Sequence, residues 1–190
     1  MTVAFGAAIL CGGASRRMGR DKATLAVEGV AMAARVADAC RRAGAGAVVA
    51  VGGDRAGLHR LGLEVVEDDE PGAGPLPATL TALRWSPTDV VAVLSCDLIA
   101  PNPIAIRHLV DRLGLAPRRV VGAVPVVAGR HQWTHAAWRR AALVPLEAAR
   151  RAGVASLRRA GADLPLDLVT DLCAADVADA DRPGDLPGGG

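Results

Sequence analysis

Two stretches of the chain carry residue types that can do chemistry on a phosphorylated ligand. The first is Leu10-Cys-Gly-Gly-Ala-Ser-Arg-Arg-Met-Gly-Arg-Asp-Lys22. Gly12 and Gly13 open backbone conformations closed to other residues and let a ligand approach the amides closely. Successive exposed N–H groups make an anion-binding concavity. Arg16, Arg17 and Lys22 add full positive charges, and a guanidinium can grip phosphate with two parallel bonds. The segment matches neither G-x-x-x-x-G-K-[ST] nor the G-x-G-x-x-G order of a dinucleotide turn. The second stretch centres on Asp97, which follows the apolar run Val90–Cys96. A carboxylate there suits magnesium, which takes one or two protein oxygens together with phosphate and water. An Asp in this place can also cap a helix or open a turn before Pro101. The nearby glycine loop tips the reading toward metal.

Other reactive side chains offer less. His131 and His135 are spaced i, i+4, but no third ligand and no H-E-x-x-H context accompanies them. His59 and His108 fall within helical patterns among Arg and Leu and are expected at the surface. No G-x-S-x-G is present, so Ser15 belongs to the phosphate segment and not to a nucleophile elbow. Cys11, Cys40, Cys96 and Cys173 form no C-x-x-C pair, which disfavours zinc and disulfides and fits reduced, mostly buried thiols in the cytoplasm.

Elements that can position these residues are visible in the apolar pattern. Val3–Leu10, Ala47–Val51, Leu63–Val66, Val90–Leu94 and Val120–Val127 are short runs rich in β-branched residues, as expected of parallel strands covered on both faces. Between them Ala31–Arg42, Asn102–Leu113 and Ala136–Ala152 read as amphipathic helices, the first with Met32, Val36 and Cys40 on one face. Trp85 and Trp138 fall in helical segments and are expected to pack with their N–H groups near the surface. Alternating strand and helix predicts one three-layer, Rossmann-like α/β domain over residues 1–190, with a mostly parallel sheet and ligands at the strands' carboxyl ends. That rim would carry both Cys11–Lys22 and Cys96–Pro101. The N-terminal run lacks a basic n-region and is broken by Gly12 and Gly13, so it is expected as a buried strand and not as a signal or membrane span. With 51% apolar residues, 2% aromatics and a net charge of +2, the chain can build a core but offers neither stacking platforms nor a basic footprint for nucleic acid. The Pro/Gly-rich end, residues 187–190 above all, is expected to fray.

The first segment resembles the L-x-G-G-x-S-x-R-M-G-x-D-K signature of the molybdenum cofactor guanylyltransferase family, within the wider nucleotide-diphospho-sugar transferase fold. Pro71-Gly-Ala-Gly-Pro-Leu76 is similar to that family's P-G-x-G-P-L loop, Cys96-Asp97 to its C-D step, and Asp179-Ala-Asp181-Arg-Pro-Gly-Asp-Leu186 to its C-terminal N/D-x-N/D-T-P-x-D-L segment. The resemblance implies a nucleotide-binding half over about 1–100 and an acceptor-binding half over about 101–186. It implies nucleotide contacts from Leu10, Cys11, Gly12, Gly13, Ser15, Arg16, Lys22, Asp68, Gly74, Pro75, Leu76 and Asp97. Mg²⁺ would sit on Asp97, with Asp181 as a second ligand. Asp68 would accept hydrogen bonds from N1–H and the exocyclic amine of guanine.

The implied reaction is in-line attack of an acceptor phosphate on the α-phosphorus of GTP, releasing pyrophosphate. Such chemistry asks for positioning and charge stabilisation, here by Arg17, Lys22 and Asp97, more than for a nucleophilic side chain. The acceptor would be a molybdopterin-type phosphate, with His131, Trp133 and His135 on its side. Transient docking to molybdoenzymes or other cofactor-biosynthesis proteins is implied as well. The sequence departs from the family pattern at Cys11, Ile99, His131-Gln-Trp-Thr-His135 and Arg182. Two other readings stay open: the same chemistry with CTP or another phosphate acceptor, and a nucleotide- or cofactor-binding module without turnover.

Overall fold

In the computed structural model, which describes residues 2–12, 22–180 and 185, the central strands alternate their side chains between two separate cores. On β1 (Phe5–Leu10), Phe5, Ala7 and Ile9 face one core and Ala8 the other. On β6 (Val90–Ser95), Val90, Ala92 and Leu94 join the first core while Val91 and Val93 join the second. A sheet buried on both faces in this way requires a helical layer on each side. Helices α1 (Met32–Arg42), α2 (Arg55–Arg60) and α4 (Pro103–Leu115) cover the first face. Helices α3 (Pro75–Trp85), α5 (Leu143–Arg151) and α6 (Leu157–Gly161) cover the second.

Beyond β1 and β6, the strands are β2 (Ala26–Val27), β3 (Val30–Ala31), β4 (Ala47–Val51), β5 (Glu64–Val66), β7 (Gly122–Val127), β8 (Arg130–His131), β9 (His135–Arg139) and β10 (Leu166–Val169). Among the described residues the main sheet runs β10-β7-β9-β6-β1-β4-β5, with β8 paired to β7, while β2 and β3 form a small hairpin. Every pairing along the main path is parallel except those of β9, which is antiparallel to both β6 and β7. The mostly parallel three-layer sheet expected from the sequence is therefore present, and its one long reversed strand sits in the middle. Helix starts are chemically marked: Asp54 caps α2 by accepting from the Ala56 N–H at 3.1 Å, and Asn102 caps α4 from Ile104 N at 3.0 Å.

Two expectations need correction. The stretch Ala136–Ala152, read as one helix, begins as β9 and becomes helical only after a short 3₁₀ turn at Arg140–Ala142. All five β9 residues are buried, so no polar alternation marks the strand, and its alanines favour helix on propensity alone. Tertiary context overrides that preference, because small residues fit between β6 and β7. Trp138 is accordingly a strand residue, wholly buried, and its indole nitrogen has no hydrogen-bond partner among the described residues. It fits because it lies across from Gly122, where an added Cβ would come within 2.9 Å of the ring. Arg139 follows it into the interior, its guanidinium donating to the carbonyls of Val120 at 3.0 Å and Ala116 at 3.2 Å beyond the end of α4.

Candidate active site

The ends of β1, β4 and β6 meet on one rim. Past β1, the amides of Cys11 and Gly12 both donate to the Val51 carbonyl, at 2.9 and 3.1 Å, and the Cys96 amide donates to Leu10 O at 3.2 Å. These bonds hold the start of the glycine segment flat against its neighbours. Gly52 permits the approach: it holds φ +68°, and an added Cβ would stand 3.0 Å from the Gly12 Cα. Beside this rim lies a cavity of about 300 Å³, lined by Leu10, Cys11, Gly12, Lys22, Gly74, Pro75, Ala78, Ser95, Cys96, Asp97 and Thr134. Gly74 precedes α3 at φ +98°, and Pro75 opens that helix where a missing N–H costs nothing. Leu76, one residue on, is completely buried in the second core and does not line the cavity.

Asp97 lies two residues after the last residue of β6. The turn at Cys96–Asp97 brings its carboxylate back to Ser95, whose hydroxyl donates to Asp97 Oδ1. Lys22 Nζ donates to Asp97 Oδ2 at 2.9 Å and to the Ala180 carbonyl at 2.7 Å. The two side chains are 19% and 15% exposed, so the pair is sheltered but reachable from the cavity. Asp68, after β5, is different. Its Oδ1 accepts from the Glu70 amide at 3.1 Å, whereas Oδ2 is buried with no partner among the described residues. A Cβ placed on Gly12 would lie 3.4 Å from that oxygen, so the carboxylate stands directly behind the glycine rim. Burial pushes the Asp68 carboxyl up from its ordinary value, partly offset by the Glu70 amide.

The loop after Asp68 is tied down by ion pairs. Arg84 reaches both Asp69 and Glu147, and Arg150 binds Glu70. The carboxyls of Glu70 and Glu147 are held below their ordinary values by Arg150 and Arg84 respectively.

The structure thus brings Leu10, Cys11, Gly12, Lys22, Gly74, Pro75 and Asp97 together around one cavity, with Asp68 behind it. Gly13, Ser15, Arg16, Arg17 and Asp181 lie outside the described residues. The acceptor-side trio is spread out. His131 is exposed and stacks on Trp133 at 5.4 Å between centroids; Trp133 in turn stacks near Trp138 at 6.3 Å. Gly161 abuts the Trp133 ring, since a Cβ there would come within 2.5 Å of it. His135 is 1% exposed and bonds Asp179 Oδ1 through Nε2 at 2.8 Å. None of the three lines the cavity, although Thr134 between them does.

Ser95, Thr134, Ala78 and Gly52 were not visible as site residues from sequence reasoning. Ser95 was findable, because it stands two residues before Asp97 at the end of an alternating strand. Gly52-Gly53 directly after a β-branched run was a second usable signal, as a close backbone approach.

Among the described residues no group of three or more His, Cys, Asp or Glu side chains is gathered to hold a metal. A lone sheltered carboxylate with a neighbouring hydroxyl instead fits a hard cation that takes most of its ligands from a bound phosphate and water.

Residues 7–167 match the family described as the MobA-like NTP transferase domain. The chain belongs to that family. It is a nucleotidyltransferase, as the glycine segment and its resemblance led one to expect. A molybdenum cofactor guanylyltransferase of Acidiphilium cryptum (strain JF-5) is 39% identical over 147 residues, spanning 74% of this chain and 70% of that protein. Another, from Rhodobacter capsulatus, is 34% identical over 172 residues, spanning 86% of this chain and 85% of the relative. The crystal structure of molybdopterin-guanine dinucleotide biosynthesis protein A from Archaeoglobus fulgidus shares the fold, with a TM-score of 0.76 at 20% identity over 95% of this chain and 94% of that one. Among the described residues no helix is long and apolar enough to cross a membrane.

Proposed function

We propose that the protein transfers GMP from GTP to the phosphate of a molybdopterin-type acceptor, giving a guanine dinucleotide and pyrophosphate in the cytoplasm, with Mg²⁺ as cofactor. The observation that carries this reading is the Lys22–Asp97 pair facing a cavity framed by the glycine rim and the start of α3. The chain's relatives are molybdenum cofactor guanylyltransferases, which supports a guanylyl donor and a molybdenum cofactor acceptor.

In the transfer, an acceptor phosphate oxygen forms a bond to the α-phosphorus while the α–β bridging bond breaks and pyrophosphate departs. A phosphate monoester dianion has a free electron pair and needs no base. Among the described residues the cavity lining holds no His, and its two thiols, Cys11 and Cys96, are buried. Lys22 would neutralise charge on the triphosphate, joined by Arg17. Asp97, with Ser95 beside it and Asp181 as second ligand, would hold Mg²⁺, which when bound screens the phosphate oxygens and polarises the phosphorus.

Asp68 would read the base. Its Oδ2 has no donor among the described residues, and guanine brings two, at N1 and at the exocyclic amine. On the acceptor side, His131 offers an exposed ring backed by Trp133. The decisive experiment is to incubate the protein with GTP, Mg²⁺ and molybdopterin and resolve the products by mass spectrometry. The guanine dinucleotide is expected; a cytosine dinucleotide formed only with CTP would reverse the base assignment, and tight nucleotide binding without product would point to a carrier module.

A further inference from the structure

His135 is a buried titratable side chain that the mechanism leaves without work. His135 opens β9 opposite Leu94, lies 1% exposed, and is absent from the cavity lining, so a direct hold on substrate is not what its setting provides. Its Nε2 lies 2.8 Å from Asp179 Oδ1. An ionised carboxylate only accepts, so Nε2 carries the proton of this bond. The other nitrogen, Nδ1, is buried and has no partner among the described residues. Among the described residues, Asp179 is therefore the hydrogen-bond partner of the ring.

What Asp179 holds is the main chain that completes the Lys22–Asp97 corner. The Ala180 carbonyl accepts from Lys22 Nζ at 2.7 Å, and the Ala180 amide donates to the Asp97 carbonyl at 2.9 Å. One residue pair earlier, the Ile99 amide donates to Ala178 O at 2.9 Å, and Leu98 and Asp179 form an isolated antiparallel bridge. A bridge of this length has no ladder to support it and opens readily unless something else pins it. His135 ties it to a strand in the middle of the main sheet.

We infer that the His135–Asp179 pair is a latch that sets the position of Lys22 and Asp97, making His135 a positioning residue for nucleotidyl transfer. The inference rests on the proposed roles of Lys22 and Asp97. With the latch gone, Lys22 loses a fixed carbonyl and the Asp97 turn loses its brace. Both groups then wander by distances to which phosphoryl transfer is sensitive.

The test pairs a readout without substrate with one that needs it. Amide hydrogen exchange on the substrate-free protein should show Ala180 and Ile99 exchanging about tenfold faster or more in His135→Ala, with Val49 and Val66 on the far strands unchanged. In turnover, kcat should fall by about tenfold while the acceptor KM stays within about twofold. His135→Gln, whose amide nitrogen stands about as far from the backbone as Nε2, should restore most of both. Asp179→Ala, at a position one-third exposed, should repeat the defect if His135→Ala folds poorly, and the double variant should be no worse than either single one. Unchanged exchange at Ala180 and Ile99 would overturn the latch, as would faster exchange with kcat intact or a raised acceptor KM alone. If even the unmodified protein transfers nothing, the proposed function fails, and the exchange result still decides whether the latch exists.

Discussion

Asp97 and Asp68 both follow strands that end on one rim, yet their surroundings are opposites. Asp97 has a donor on each oxygen, Lys22 at 2.9 Å and the Ser95 hydroxyl. Asp68 has a donor on one oxygen only, the Glu70 amide at 3.1 Å, and keeps the other buried and bare among the described residues. A carboxylate already matched to a cation can exchange that partner for another cation at little cost. A bare buried acceptor is costly until a ligand brings the missing donor, and its relief then contributes to recognition. Under the proposed function, the contrast gives charge handling to one corner and base reading to the other.

The largest effect that would test this contrast is at Asp97. Asp97→Ala should lower pyrophosphate release by about 100- to 1,000-fold while GTP preference over other triphosphates is kept, read from steady-state rates. Lys22→Met should cost about 100-fold at the same corner, again without change of base preference. Asp68→Ala should do the reverse, lowering discrimination for GTP by about tenfold or more with a smaller loss of kcat, measured by competition among triphosphates.

Stability sharpens the same point. Burial raises the Asp68 carboxyl, so the folded state binds more protons than the unfolded state between the ordinary carboxylate value and the raised one. Stability attributable to this group therefore falls as pH rises through that window. Asp68→Asn removes the penalty, and its melting temperature should exceed that of the unmodified protein by about 2 °C at neutral pH, with the gap closing as pH falls below the window. The smallest expected effect is in the ion pairs that steady the loop after Asp68. Arg150→Ala should raise the GTP KM by about two- to threefold, less at high salt, because its pairing with Glu70 is largely solvent-exposed.

The half of the sheet that carries these corners was legible because its strands are parallel and doubly covered. Runs such as Ala47–Val51 are β-branched, short and bounded by glycine, and they became strands with little change of boundary. The other half was harder for a physical reason. His135–Arg139 is buried along its whole length, shows no alternation and is rich in alanine, so nothing local distinguishes it from the helix that follows. The glycine segment and Asp97 could be singled out from residue type and position. The His135–Asp179 bond could not, since it joins residues 44 apart in the chain through a topology set by β9. Trp133 shows the same limit: its ring is engaged by His131, Trp138 and Gly161, contacts that no spacing rule anticipates.

The most direct test of the account is pyrophosphate release measured with Mg²⁺, molybdopterin and each of the four ribonucleoside triphosphates in turn, on the unmodified protein and on Asp97→Ala. Release with GTP alone, and its collapse in the variant, are expected. Release that favours another triphosphate, or that survives loss of Asp97, would contradict it.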